Sequence, residues 1–118
     1  MEIPGEGKKR EVRFTKRCEI EFSSDSVTRR GISSNLSLNG LFIRTDLPFF
    51  PDTILDIVIY LPDGSISVLK GRVTRSSKTS LGKVMGTHLK NFKNGMGIEI
   101  INRDINYQNF MNSLLREA

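Results

Sequence analysis

Side chains that carry catalytic or metal chemistry are scarce in this sequence. Its 118 residues include one cysteine, one histidine and no tryptophan. A lone Cys18 cannot form an internal disulfide, and Cys18 with His88 is too small a set for a Cys/His metal cluster. The carboxylates are dispersed, and the sequence contains neither a serine nucleophile elbow nor a Gly-x-x-x-x-Gly-Lys phosphate loop. These gaps predict a binding protein rather than an enzyme, with no metal and no cofactor.

The sequence also lacks a long hydrophobic run. It has no stretch of 18 apolar residues, and its first residues have neither the charged nor the apolar block of a signal peptide. We therefore expect no membrane insertion and a cytoplasmic location. Residues 1–7, which include Pro4, Gly5 and Gly7, are expected to form a flexible leader, and residues 8–118 a single domain.

Positive charge is concentrated in one segment. Residues 8–17 carry six cations and one anion, so their net charge of +5 equals that of the whole chain and the remainder is neutral. Clustered Arg and Lys side chains favour a binding site for a phosphate-bearing ligand. The alternative is a solvated basic flank, which is the commoner use of such a run.

Alternating polar and apolar residues predict mostly β-structure, with a hairpin turn at Pro62-Asp63-Gly64-Ser65. The expected strands are residues 17–22, 27–32, 41–45, 54–61, 66–73, 83–89 and 97–101. The aromatic residues expected in the core are Phe22, Phe42, Tyr60 and Phe110. Many short strands with even turn spacing are typical of a small β-barrel.

One helix is expected near the C-terminus. Its apolar side chains fall on a single stripe that should pack on the barrel: Tyr107, Phe110, Met111, Leu114 and Leu115. Asn102 is the expected capping residue, with Asp104 in the first turn, where the helix dipole favours an anion.

The basic segment and the loop at residues 35–40 resemble two motifs of the PilZ domain family. Lys9 and Arg13 occupy the positions of an Arg-x-x-x-Arg motif, with lysine in place of the first arginine. Asn35, Ser37 and Gly40 complete an Asp/Asn-x-Ser-x-x-Gly motif.

A third piece, Gly95-Met96-Gly97, looks like the late strand of the same family, so the resemblance covers roughly residues 8–115. It implies a mainly β fold, namely a small six-stranded antiparallel PilZ-like β-barrel with one C-terminal α-helix. It also implies a bacterial receptor that binds the second messenger cyclic di-GMP.

The chemistry of a cyclic dinucleotide suits these residues. Arg10 and Arg13 can each hold a phosphate or a guanine edge by a bidentate fork, and Lys9 would add a point charge. Asn35 offers a donor and an acceptor to guanine, Ser37 a hydroxyl, and Gly40 space for backbone approach. The alternative for this loop is a plain turn in which Asn35 and Ser37 bond their own backbone.

The predicted function is a cyclic di-GMP receptor whose basic N-terminal arm, residues 1–16, becomes ordered on ligand binding and signals to an unidentified protein partner. The chain would be a monomer or a ligand-dependent homodimer. One alternative is a degenerate adaptor that binds protein but no ligand, because Lys9 lacks the arginine fork. The other is a small basic barrel that binds nucleic acid, which the neutral remainder and the expected core aromatics disfavour.

Overall fold

Six antiparallel strands and one helix make up the part of the chain that the computed structural model describes, residues 12–77 and 94–117. The elements are β1 (Glu19–Ser24), β2 (Val27–Leu36), β3 (Gly40–Arg44), β4 (Ile54–Tyr60), β5 (Ile66–Ser77), β6 (Gly95–Arg103) and α1 (Ile105–Glu117). The strands close into a barrel in the order β1-β2-β3-β6-β5-β4. The predicted six-stranded antiparallel barrel with a C-terminal helix is therefore confirmed. The strand expected at residues 83–89, with His88, lies outside the described residues.

The first hairpin is tighter than the sequence indicates. Asp25 and Ser26 have φ angles of 50° and 71°, and Ser24 pairs directly with Val27. Two consecutive residues with positive φ form the turn whose twist matches that of the flanking strands. The turn therefore needs only two residues, and β1 continues through Ser24.

The β4–β5 hairpin is confirmed. Tyr60 pairs with Ile66, and Asp63 accepts hydrogen bonds from the Ser65 hydroxyl at 2.6 Å and the Ser65 N–H at 2.8 Å. These two hydrogen bonds lower the pKa of Asp63. Gly64 takes a φ of 92°, which an L side chain rarely adopts, so a glycine is needed at this position.

The cap of α1 is Asp104, and the expectation of Asn102 was wrong. Asn102 lies in β6, where it pairs with Lys70. Asp104 accepts the Tyr107 N–H at 2.9 Å and also binds β5, through the Ser67 hydroxyl and the Val68 N–H, both at 2.7 Å. Burial alone would raise the pKa of Asp104, but these hydrogen bonds lower it below its usual value. One carboxylate thus caps the helix and joins it to the barrel.

Replacing Asp104 by alanine is expected to destabilise the protein by about 1 to 2 kcal/mol in urea unfolding, because it removes the cap. The ionised carboxylate is the stabilising form, since the pKa of Asp104 is lowered in the folded state. The stability difference between wild type and Asp104→Ala should therefore be full above about pH 4 and shrink as the pH falls through the folded-state pKa. Asp104→Asn, which keeps a capping oxygen, is the matched control, and a difference that grows on acidification would contradict the assignment.

Apolar side chains of every strand fill the barrel, and the helix closes it. Tyr107, Met111 and Leu114 are buried, which confirms the expected packing for these residues of the apolar stripe, whereas Leu115 is 44% exposed. Phe22 is fully buried as expected. Tyr60 is 38% exposed, so its assignment to the core was wrong.

Phe42 and Phe110 are half-buried rather than central to the core. Within residues 12–77 and 94–117, no helix is long and apolar enough to cross a membrane.

Candidate functional site

The end of the basic segment is fixed against β2. Phe14 and Leu36 form an antiparallel bridge, with N–O distances of 2.7 Å and 2.8 Å for its two backbone hydrogen bonds. The Phe14 side chain packs against the core. Arg13, the preceding residue, is exposed and lies beside the turn that follows Leu36. One cation of the first motif is therefore held next to the second motif.

Contacts of the same kind continue along the segment. The Ser33 hydroxyl donates to the Lys16 carbonyl at 2.6 Å and accepts the Cys18 N–H at 2.8 Å. Phe14 and Lys16, which belong to the arm expected to become ordered on ligand binding, are thus already docked on β2.

Ser37 shapes the turn between β2 and β3. Its side chain is fully buried, and its hydroxyl lies 3.0 Å from the Gly40 carbonyl, to which it donates, and 3.1 Å from the Gly40 N–H, from which it accepts. From the helix, the Tyr107 hydroxyl donates to the Ser37 carbonyl at 2.6 Å. The hydroxyl thus bonds backbone here, as in the plain-turn alternative, and a direct ligand contact by Ser37 stays a prediction.

Gly40 allows β3 to approach β6. It pairs with Glu99, and a Cβ at this position would lie 2.9 Å from the Ile98 carbonyl oxygen. Such a contact is too short for any other residue without a shift of the strand. Gly40 is therefore required by packing between strands, which also keeps this side of the turn open.

Asn35 belongs to a row of side chains on the outer surface of the barrel. It pairs with Phe42, Phe42 pairs with Gly97, and Gly97 pairs with Arg75. A Cβ on Gly97 would lie 3.2 Å from the Arg75 Nε, so the arginine side chain lies across this glycine. The Arg75 guanidinium carbon is 5.8 Å from the centre of the Phe42 ring. The row combines an amide, an aromatic ring and a cation on one face.

Sequence reasoning missed Arg75 and placed Phe42 in the core. The expected strand ended at residue 73, whereas β5 continues to Ser77. Residues 74–77 of β5 are polar and no longer alternate with apolar residues, so the hydrophobic pattern does not predict this part of the strand. The glycines of β6 were the available clue, because a glycine in a strand often marks the close approach of another group.

Five cations lie on the docked segment, on β3 and on β5. Arg13, Lys16, Arg17, Arg44 and Arg75 are exposed, and none has an ion-pair partner among the described residues. Arg30, Lys70 and Arg72 are paired with carboxylates at 2.6–3.1 Å, and Glu99, one partner of Arg72, lies beside Gly40. The unpaired set is therefore available to an anionic ligand.

Arg17 and Arg44 line a cleft of about 440 Å³ together with Asn94. Arg44 pairs with Ile32 and lies two residues along β3 from Phe42, so the cleft continues the face formed by Asn35 and Phe42. Asp46 also lines the cleft and accepts a hydrogen bond from the Asn94 amide at 3.3 Å. This arrangement suits a ligand that carries more than one negative charge and also has polar donors.

Cys18 is buried, and burial raises the pKa of its thiol. A thiol in this state packs as a small apolar side chain. In the described part of the chain, no three His, Cys, Asp or Glu residues lie close enough to hold a metal ion. Lys9 and Arg10, the other predicted ligand residues, lie outside the described residues.

Comparisons with known proteins concern the family and the fold. The family model of the PilZ domain matches residues 8–113. Among solved structures, the chain is similar to the Bacillus subtilis inhibitor of motility MotI/DgrA, with a TM-score of 0.72 and 18% sequence identity. The match covers 92% of this chain and 50% of that one, so the chain spans about half the length of this relative. At this identity the likeness shows the fold. No curated protein sequence gives a match.

Proposed function

Because this chain belongs to the PilZ domain family, whose members act as receptors and adaptors of the cyclic di-GMP type, we propose that it binds cyclic di-GMP and signals to a protein partner. The observation that carries the proposal is the position of Arg13. The bridge between Phe14 and Leu36 holds this cation, which has no ion pair among the described residues, beside the motif of Asn35, Ser37 and Gly40. PilZ domains are binding domains, and the proposal includes no catalytic step.

Lys9, Arg10 and Arg13 would hold the phosphates and guanines of the ligand from one side. Asn35 would read a guanine edge, and the Ser37 turn with Gly40 would provide the opposite wall. Arg75 and the Phe42 ring extend the same face and add a charged and a flat surface to it.

A ligand held this way would connect residues before the docked part of the arm to the barrel. Phe14 already packs on the core, so the proposed ligand-dependent ordering concerns residues of the arm that precede it. Ordering those residues would change the surface next to the barrel and so give a partner something to recognise.

Isothermal titration calorimetry of the purified protein with cyclic di-GMP tests the proposal. Saturable binding is expected, with GTP and cyclic GMP as controls that share the guanine but not the paired phosphates. Absence of binding by a folded protein would support the ligand-free adaptor.

Replacing Lys9 by arginine distinguishes the receptor from that adaptor. The substitution restores the bidentate fork at the first position of the motif and is expected to tighten cyclic di-GMP binding. Calorimetry of both proteins measures the change, with Lys70→Arg, a lysine on another face, as the matched control. If neither wild type nor Lys9→Arg binds, the receptor assignment fails.

Nucleic-acid binding is the weaker candidate, although Tyr60 and Phe42 are not core residues. Tyr60 pairs with Glu19, a carboxylate that would repel a phosphate backbone, so this ring does not belong to a basic track. Nucleic-acid affinity should fall steeply with salt, since phosphate neutralisation releases counterions. Titration with single-stranded DNA and RNA over a salt series distinguishes the two ligand classes.

A further inference from the structure

A second surface of the barrel exposes apolar side chains. On the outer face of β4 and β5, Tyr60 pairs with Ile66, and Val58 pairs with Val68. Ile66 is 47% exposed and Val68 is 56% exposed. Contiguous apolar patches on a soluble protein commonly mark an interaction site.

Ile66 and Val68 are exposed because of the way β5 is oriented in the barrel. Ser67, between the two exposed residues, is fully buried, and its hydroxyl donates to Asp104 at the start of the helix. The strand thus turns its polar residue inward and its β-branched residues outward. A local inversion of the usual pattern, held by a partly buried hydrogen bond, is expected at functional sites more than elsewhere.

A carboxylate without an ion pair borders the apolar residues. Glu19 pairs with Tyr60 on one side and with Ile32 on the other, and Ile32 is 45% exposed. Glu21, the next outward residue of β1, forms an ion pair with Arg30 at 3.0 Å. Among the described residues Glu19 has no ion-pair partner.

Glu19 and Tyr60 also line a cleft of about 330 Å³ with Ile32 and the ion pair of Glu21 and Arg30, so Glu19 is the carboxylate of the cleft that has no ion pair among the described residues. An Arg or Lys side chain suits such a cleft. Its methylene groups would pack on Tyr60 and Ile32, and its cation would reach the Glu19 carboxylate and the face of the Tyr60 ring.

We propose that this surface, formed by Glu19, Ile32, Tyr60, Ile66 and Val68, docks a protein partner through an apolar segment that inserts a Lys or Arg side chain beside Glu19. The surface lies mainly on β1, β4 and β5, whereas the proposed ligand face lies mainly on β2, β3 and β6; Ile32 borders both, since it also lines the cleft of Arg17 and Arg44. The docking surface thus gives the partner of the proposed function a location on the barrel. The observations that indicate this surface do not depend on ligand binding.

Charge favours a different protein over a second copy of this chain. A symmetric dimer would place the same surface on both sides, and the cation that lines its cleft, Arg30, is already paired with Glu21. Glu19 would then be desolvated without a cation, which is costly. A partner with its own free cation avoids this cost.

The test uses two synthetic helical peptides of about five turns, each with leucine on one face. The other face is lysine in one peptide and glutamate in the second. NMR titration of the isotope-labelled protein with the leucine-lysine peptide should shift the amide signals of Glu19, Tyr60 and Val68. Glu19→Gln and Val68→Ser should each weaken its binding by at least about tenfold, the scale of one charged or well-packed contact.

Glu117→Gln, at an exposed carboxylate of the helix end, is the matched control and should bind the peptide as wild type does. Equal binding of both peptides, or signal changes elsewhere on the barrel, would overturn the proposal. A wild-type dimer that Val68→Ser dissociates would identify a second copy as the occupant and overturn the assignment to a different partner. Cyclic di-GMP affinity should be unchanged in Glu19→Gln, so failure of the ligand assignment can be recognised separately.

Discussion

Replacing Arg13 by alanine is expected to weaken cyclic di-GMP binding by at least about tenfold, the scale of one lost charge-assisted contact. Arg13 is exposed, has no ion pair among the described residues, and stands beside the turn that contains Ser37. Its removal eliminates a cation at the ligand face without opening the core. Calorimetry gives the affinity, and thermal unfolding of the free protein should show a melting temperature close to that of wild type.

Lys70→Ala is the matched control, because it removes an exposed cation of β5 that is paired with Asp56 of β4, away from the ligand face. It lowers the net charge by the same amount and should leave the affinity unchanged. Equal weakening by both variants would assign the effect to overall charge, and an Arg13→Ala variant with wild-type affinity would exclude Arg13 from the site.

Replacing Ser37 by alanine is expected to destabilise the free protein by about 1 to 2 kcal/mol. The buried hydroxyl makes two hydrogen bonds to the Gly40 backbone, and both are lost. Urea unfolding measures the change. Cyclic di-GMP affinity should also fall, because the turn that forms one wall of the site loses its fixed shape.

Ser24→Ala, at the end of β1, is the control for the loss of a half-buried hydroxyl and should change stability by less than about 0.5 kcal/mol. Tyr107→Phe loosens the same turn from the helix side, since it removes the hydrogen bond to the Ser37 carbonyl. A Ser37→Ala variant with wild-type stability but reduced affinity would mean that the hydroxyl contacts the ligand directly.

The sequence predicted the barrel well because most strands alternate clearly and their turns contain specific residues. The Pro62-Asp63-Gly64-Ser65 turn lies between Tyr60 and Ile66 as expected. Asp104 as the helix cap was missed for a different reason. Asn102 and Asp104 are both good capping residues, and the choice depends on where β6 ends, which is decided by its pairing with β5.

The outward orientation of Ile66 and Val68 also could not be predicted from the sequence. In the run Ile66-Ser67-Val68-Leu69, two apolar residues are adjacent, so the alternation permits either phase. The structure selects the phase that buries Leu69, and Ser67 then reaches Asp104. A contact between residues 37 positions apart settles the question, and periodicity contains no information about it.

At the candidate site, the two motifs identified Arg13, Asn35, Ser37 and Gly40 but not how they meet. The bridge between Phe14 and Leu36 is a single pairing outside the regular strands, so no local sequence pattern predicts it. Arg75 reaches the same face from β5 through pairings across β6 and β3. Such residues are brought together by strand order, which sequence spacing alone does not give.

The most direct test of the central claim is an NMR titration of the isotope-labelled wild-type protein with cyclic di-GMP. Saturable binding should move the amide signals of Arg13, Asn35, Gly40 and Arg75 most, because these residues lie at the turn and on the adjoining outer face. Signals of Val58 and Val68, on the other side of the barrel, should stay in place. Absence of any change at saturating ligand, or changes confined to residues away from the Asn35–Gly40 turn, would contradict the account.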